Sequence, residues 1–191
     1  MHHHTLSRGR LAGAAVLACA AALAPAAALA DTASLAAPAA QAGTPRCATS
    51  GLVVWMDTQG DGAAGSVYYT LQFTNLSGHA CTLRGYPGVS AVSLSGHQLG
   101  APARWGTSPA TTVTLASDAT AYAVLQYSNV ITSGNGPRPC DAVTAAGLRV
   151  YPPDQTASKI VPFPLKACTR SGLAYMGVAP VQQAPPPGQR P

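Results

Sequence analysis

From Ser66 to Asn75 the chain reads SVYYTLQFTN, with Val67, Tyr69, Leu71 and Phe73 alternating against Tyr68, Thr70, Gln72 and Thr74. A period of two places successive side chains on opposite faces of a pleated strand, so this segment predicts a β-strand with one apolar face. Similar short runs occur at GLVVWMD (51–57), TLRGYPGVSAVSL (82–94), TTVTLA (111–116) and AYAVLQYS (121–128), then at GLRVYP (147–152), KIVPF (159–163) and AYMGV (174–178). Clusters of Gly, Pro, Ser and Asp separate them, and no segment sustains a helical period between caps. Seven or eight short strands punctuated by turns predict an all-β fold, an immunoglobulin-like antiparallel β-sandwich.

Composition changes the picture at the two ends. Arg8 and Arg10 precede an apolar run from Leu11 to Leu23 and an A-x-A signal at Ala28 to Ala30, the layout of a secretory signal peptide cleaved after Ala30. Pro25 interrupts the run, so no stable membrane span is expected once the leader is removed. Cys19, in VLAC, supports a second reading as the lipid-attachment site of a lipoprotein, although the residues after it stay apolar where a polar tether is expected. Residues 31–46, rich in Ala and Pro without periodicity, read as a flexible linker, and residues 181–191 (VQQAPPPGQRP) as a Pro-rich disordered tail. The folded domain is expected at 47–180.

Export bears on the cysteines. Cys47, Cys81, Cys140 and Cys168 remain after cleavage, an even number in an oxidising compartment, which implies two disulfides with three pairings open. The midpoint of Cys47 and Cys81 falls in the Gly-rich turn TQGDGAAG, and that of Cys140 and Cys168 in YPPDQTA. The ends of a hairpin meet, so the expected bridges are Cys47–Cys81 and Cys140–Cys168. On that pairing Cys81 is neither nucleophile nor thiolate ligand, and His79 beside it is a turn residue.

The formal charge of +5 falls to +3 when Arg8 and Arg10 leave with the leader. The remaining basic residues are scattered singly, whereas a nucleic-acid binder gathers them on one face; nucleic acid is not an expected partner. GDGAAG fits G-x-G-x-x-G through Gly60, Gly62 and Gly65, but a strand follows where the dinucleotide fingerprint needs a helix, so it reads as a hairpin loop. Asp57 and Asp61 lack the remaining ligands of a calcium loop, and no Cys/His spacing suits zinc, so neither a metal nor another cofactor is expected. Glu is absent from the chain. Asp57, Asp61, Asp118, Asp141 and Asp154 all fall in or beside expected turns, and no serine sits in a nucleophile elbow with His79 or His97. No catalytic residue is assigned, and the protein is not expected to be an enzyme. Among Trp55, Trp105, Tyr86 and Tyr127, core burial is the default. Trp105, in the loop-like ARWGTSP, fits a core least well and is the candidate exposed binding contact.

GAAGSVYYTLQFTNLSGHACTLRGYPGVSAV (62–92), QLGAPA (98–103), GLRVYPPDQT (147–156) and the AC ending at Cys168 together resemble the actinobacterial secreted proteins of domain of unknown function family 4232 (DUF4232). The resemblance implies a secreted or envelope-associated domain and no particular activity. The functional expectation is a non-catalytic binding or structural module of the cell envelope or exterior, monomeric, with an envelope polymer or extracellular protein as partner. A secreted hydrolase or a protease inhibitor acting through exposed loops is the alternative. Intact-mass measurement of the exported chain should give a polypeptide beginning at Asp31; a lipid-modified chain beginning at Cys19 would establish the anchored form instead.

Overall fold

A computed structural model describes residues 43–132, 140–170 and 172–187. The expected leader, Cys19, most of the linker and the last four residues of the tail lie outside them. Among the described residues there are eleven strands: β1 Leu52–Met56, β2 Asp61–Ala63, β3 Ser66–Asn75, β4 Cys81–Arg84, β5 Gly88–Val92, β6 Arg104–Trp105, β7 Thr112–Leu115, β8 Thr120–Ser128, β9 Ala142–Tyr151, β10 Lys159–Cys168 and β11 Met176–Val178. One four-residue helix, α1 (Asn129–Thr132), follows β8. The fold is all-β, as the alternation predicts.

The strands form a six-stranded sheet in the order β1-β3-β8-β11-β6 with β2 also on β3, a three-stranded sheet β10-β9-β5, and a two-stranded ribbon β4-β7. All pairings are antiparallel except β11 with β6, which is parallel. This differs from the expectation of seven or eight strands in three places. The segment 82–94 is two strands in different sheets, because Gly85 at φ +114° and the following Tyr86-Pro87 turn the chain between β4 and β5. The Gly-rich loop contains β2, closed onto β3 by Ala64 and Gly65 at φ 48° and 79°, the positive pair that a two-residue hairpin turn requires. ARWGTSP contains β6.

One apolar core joins the three sheets. Leu71 and Phe73 of β3, Leu125 of β8, Leu148 and Val150 of β9, and Leu115 of β7 are almost wholly removed from water and belong to a single cluster. Tyr69 meets Phe163 of β10 edge-on at 4.9 Å between ring centres. Exposed edges are managed locally. β10 carries Pro162 and Pro164, which offer no N–H to an incoming strand, and a register shift between Pro162 and Leu165 bends it. The open edge of β5 is covered by 98–103, whose Leu99 and Ala103 N–H groups donate to Ala91 and Val89.

The folded chain extends beyond both expected boundaries. Thr82 donates to the Pro45 carbonyl and receives the Cys47 N–H on its own, so Pro45 to Cys47 run along β4. At the other end Val181 is buried and donates to Gly85, and Gln182 bridges to Tyr122, so these two residues belong to the domain and not to the tail.

The cysteines are joined as Cys47–Cys81 and Cys140–Cys168. The second bridge closes the β9-β10 hairpin by joining Cys168, the last paired residue of β10, to Cys140, two residues before its strand partner Ala142. The first does not simply extend the β1-β3 hairpin. Cys81 opens β4 in another sheet, and Cys47 reaches it along the parallel contact with Thr82.

Asn75 makes the corner that carries the chain from β3 to β4. Its side chain is buried; its amide nitrogen donates to the carbonyls of His79, Leu115 and Ala116 at 2.8 to 3.2 Å, and its oxygen accepts from the Ser77 N–H and hydroxyl. Asn75→Ala should lower the unfolding free energy by about 3 kcal/mol, because several polar groups lose their partner in a site closed to water. Asn75→Asp should be more damaging, relative to the parent, at pH 7 than at pH 4. The ionised carboxylate would face carbonyl oxygens, which raises its folded pKa, so its stability contribution is present at low pH and lost as pH rises through that value. Urea denaturation at the two pH values checks this; an equal loss at both would contradict the account.

Candidate functional site

One of the cross-strand rows on the outer face of the six-stranded sheet begins at Asp61 (β2), which pairs with Tyr68. The registers place Tyr68 (β3) opposite Gln126 (β8), Gln126 opposite Gly177 (β11) and Gly177 opposite Arg104 (β6). Directly paired residues share a face, so these positions form a line across four strands, about 14 Å at the usual strand spacing. The row has a gap in its middle. A Cβ on Gly177 would stand 3.4 Å from Gln126 Oε1, so a side chain there would occupy the space between Gln126 and Arg104.

A shallow pocket of about 310 Å³ lies over this row, bordered also by Trp105 and Ser108. A second, about 330 Å³, adjoins it toward Ser66 and Tyr175 and shares Arg104, Gln126 and Gly177. On the other side of β6 a more apolar cleft of about 590 Å³ runs between Val89, Pro102, Trp105 and Tyr151. Arg104 borders all three. Among the described residues its guanidinium has no hydrogen-bond or ion-pair partner, whereas Gln126 is steadied by donating its amide N–H to Ser66 Oγ at 3.1 Å.

Trp105 stands at the edge of this surface, 64% exposed. It is held from several sides. Its backbone pairs with Val178, the next N–H, of Gly106, donates to the Val178 carbonyl at 3.0 Å, and its indole stacks on Tyr86 at 5.6 Å between centres and 17° between planes. The Tyr86 hydroxyl donates to the Ser108 carbonyl, tying down the segment that follows Trp105. Such a stack contributes about 1 kcal/mol beyond simple burial, enough to favour one orientation of an exposed ring.

The other aromatic residues separate. Tyr127 is buried, in line with the core expectation; Trp55 is 45% exposed, because it lies on the outer side of β1, where positions alternate between core and solvent. His79 Nδ1 bonds the Ser77 carbonyl, and the Ser77 hydroxyl is engaged by Asn75 and the His79 carbonyl. His97 lies in the turn after β5, its backbone N–H held by Ser93 Oγ. Neither imidazole borders the pockets described above. Asp118 and Asp154 occupy turns and Asp141 stands just before β9, at φ 65°, 57° and 50° respectively; Asp57 caps its own turn by accepting from the Gln59 N–H, and Asp61 is a strand residue of β2. Asp154 pairs with Arg46 at 3.4 Å across exposed surface. Among the described residues no three of His, Cys, Asp or Glu gather in a way that could hold a metal ion, and no helix is long and apolar enough to cross a membrane.

Sequence reasoning singled out Trp105 and missed Arg104, Gln126, Gly177 and Tyr68. Each is ordinary in its own segment, and only the registers of four strands from distant parts of the chain bring them into line.

An all-β domain with two disulfides and a shallow, aromatic-edged surface is what fold and site define. Residues 47–182 match the family described as Domain of unknown function (DUF4232), and the chain belongs to that family. No curated protein and no solved structure matches the chain.

Behind the second pocket, Tyr175 is buried with its hydroxyl donating to the Leu99 carbonyl at 3.1 Å, and it packs edge-on against Tyr127. Burial raises both phenols above the ordinary value of 10.0. Raised folded pKa values mean that the associated stability is complete below about pH 10 and is lost as the pH climbs further. Melting temperatures recorded from pH 8 to 11 should therefore fall at the alkaline end, and the fall should be shallower in Tyr175→Phe measured against its own value at pH 8. An unchanged slope would show that Tyr175 does not report on the fold in this way.

Proposed function

We propose that this protein is an exported, non-catalytic binding module that works at the cell envelope or exterior, and that the surface around β6 is its contact site. The observation that carries the reading is Trp105: a large apolar ring left mostly in water, yet stacked on Tyr86 in a way that favours one orientation. An exposed aromatic residue that served only folding would lose little by being small and polar, whereas a rigid indole beside a groove offers contact area at low entropic cost. The two disulfides suit an oxidising exterior and the leader-like N-terminus suits export. An actinobacterial envelope is the setting that the family resemblance suggests, and an envelope polymer is the partner that this reading favours.

The test is sedimentation of the mature chain with protein-stripped cell walls from the host at low and high salt. The parent protein should pellet in a salt-resistant manner, and Trp105→Ala should reduce pelleting at least fivefold while leaving the melting temperature within a few degrees. Trp55→Ala, which removes another exposed indole but from β1, should pellet like the parent. Loss of pelleting with added salt for the parent would reduce the interaction to diffuse charge, and failure to pellet under either condition would remove the wall-binding reading.

A further inference from the structure

We infer that the groove over the Tyr68–Gln126–Gly177–Arg104 row takes a carboxylate-bearing glycan chain, with Arg104 as the ligand of its carboxylate. The inference rests on reading the β6 surface as a binding site and adds the chemistry of the occupant.

Among the described residues Arg104 is the only charged one bordering the two pockets over the row, it has no partner among them, and it lies where the pockets meet. A guanidinium presents a planar fork of donors that matches a carboxylate in a two-point contact, and an exposed one without an internal partner can take a ligand without first breaking a bond. The remaining polar groups suit hydroxyls. Gln126 keeps its Oε1 acceptor and one amide N–H after bonding Ser66, and Ser66 and Ser128 border the second pocket, their hydroxyl oxygens accepting from Gln126 and from the Ile131 N–H and their hydrogens left to donate. The missing side chain at Gly177 leaves backbone as the floor between Gln126 and Arg104, giving room for a ring to lie against the sheet. At the lip, the Trp105 indole offers the flat apolar surface against which the C–H face of a sugar packs. The two adjoining pockets, about 310 and 330 Å³, form an open trough and not an enclosed cavity, a shape that suits a chain of residues passing through. The cationic balance of the folded region favours an anionic polymer over a neutral one.

Affinity electrophoresis of the mature chain through gels containing polygalacturonate, dextran or polyphosphate tests this. Polygalacturonate should retard the parent strongly and dextran should not. Arg104→Gln should weaken the polygalacturonate interaction at least tenfold. Arg84→Gln, which removes the same charge from an exposed position at the end of β4, should change it less than twofold. Gly177→Leu, filling the gap without altering charge, should weaken it about as much as Arg104→Gln. Near-ultraviolet circular dichroism confirms folding of each variant, and Arg104→Gln decides the matter if Gly177→Leu does not fold. Equal losses in the two arginine variants would overturn the site, and equal retardation by dextran or by polyphosphate would overturn the carboxylate. Absence of retardation by polygalacturonate, alongside Trp105-dependent pelleting with cell walls, would overturn this inference while leaving the binding module intact. Absence of wall pelleting with retained, Arg104-dependent retardation would instead support the glycan site and remove the wall as its location.

Discussion

The Asn75 amide is the constraint on which the three sheets depend. β3 ends there, and without a sharp, satisfied corner the chain could not leave the six-stranded sheet and open β4 six residues later. The side chain meets the carbonyls of His79, Leu115 and Ala116, while its backbone exchanges bonds with Ala119 and Asp118. One residue thus ties together the end of β3, the approach to β4, the end of β7 and the turn into β8. A buried polar group in this position specifies geometry more than it adds net stability, since it gives up water to gain its partners. Wrong arrangements of the same corner would leave its donors and acceptors bare.

Around that corner the two disulfides and the core divide the work. The bridges close loops with sequence separations of 34 and 28 residues, each worth about 3–4 kcal/mol on the chain-entropy argument. That is a substantial fraction of the roughly 5–15 kcal/mol that holds a typical domain together. Cys47–Cys81 fastens the entering chain to the small β4-β7 ribbon, which has little area of its own to bury, and Cys140–Cys168 fastens the far end of the β9-β10 hairpin. The large sheet needs no such staple, because β3 and β8 pair along nine consecutive positions. A framework held in this way can leave Trp105 in water at its edge, since the strain of keeping an indole exposed is small beside what the core and bridges supply.

The same rigidity bears on function. β6 is two residues long and belongs to the sheet through its pairing with β11, while Tyr86 and Ser108 hold the chain on its far side. Arg104 and Trp105 therefore stand on a fixed rail, Arg104 over the open row and Trp105 stacked on Tyr86 at its edge. Binding to such a surface requires little reordering of the protein, which leaves more of the interaction energy available for affinity.

Alternation in SVYYTLQFTN was enough to place β3 to the residue, and turn residues bracketed most other strands, because side-chain periodicity and backbone preference are local properties. The cysteine spacing pointed to Cys140–Cys168 for a related reason, since hairpin ends are close whatever the rest of the fold does; Cys47–Cys81 is the expected pair, but it forms through the contact of the entering chain with β4 and not at the end of a hairpin. Trp105 stood out because its neighbours had no core pattern. The splitting of 82–94 between two sheets was not legible, since Gly-Tyr-Pro-Gly reads equally well as a bend within one sheet. β2 and β6 were too short to show a period, and the burial of Val181 depends on a partner, Gly85, nearly a hundred residues away. Local chemistry in the sequence by itself determined the strand class, the turns and the staples. Only the tertiary structure decided that Tyr68, Gln126, Gly177 and Arg104 share one row, because strand register between distant segments is settled by how the buried faces of all the sheets fit into one core.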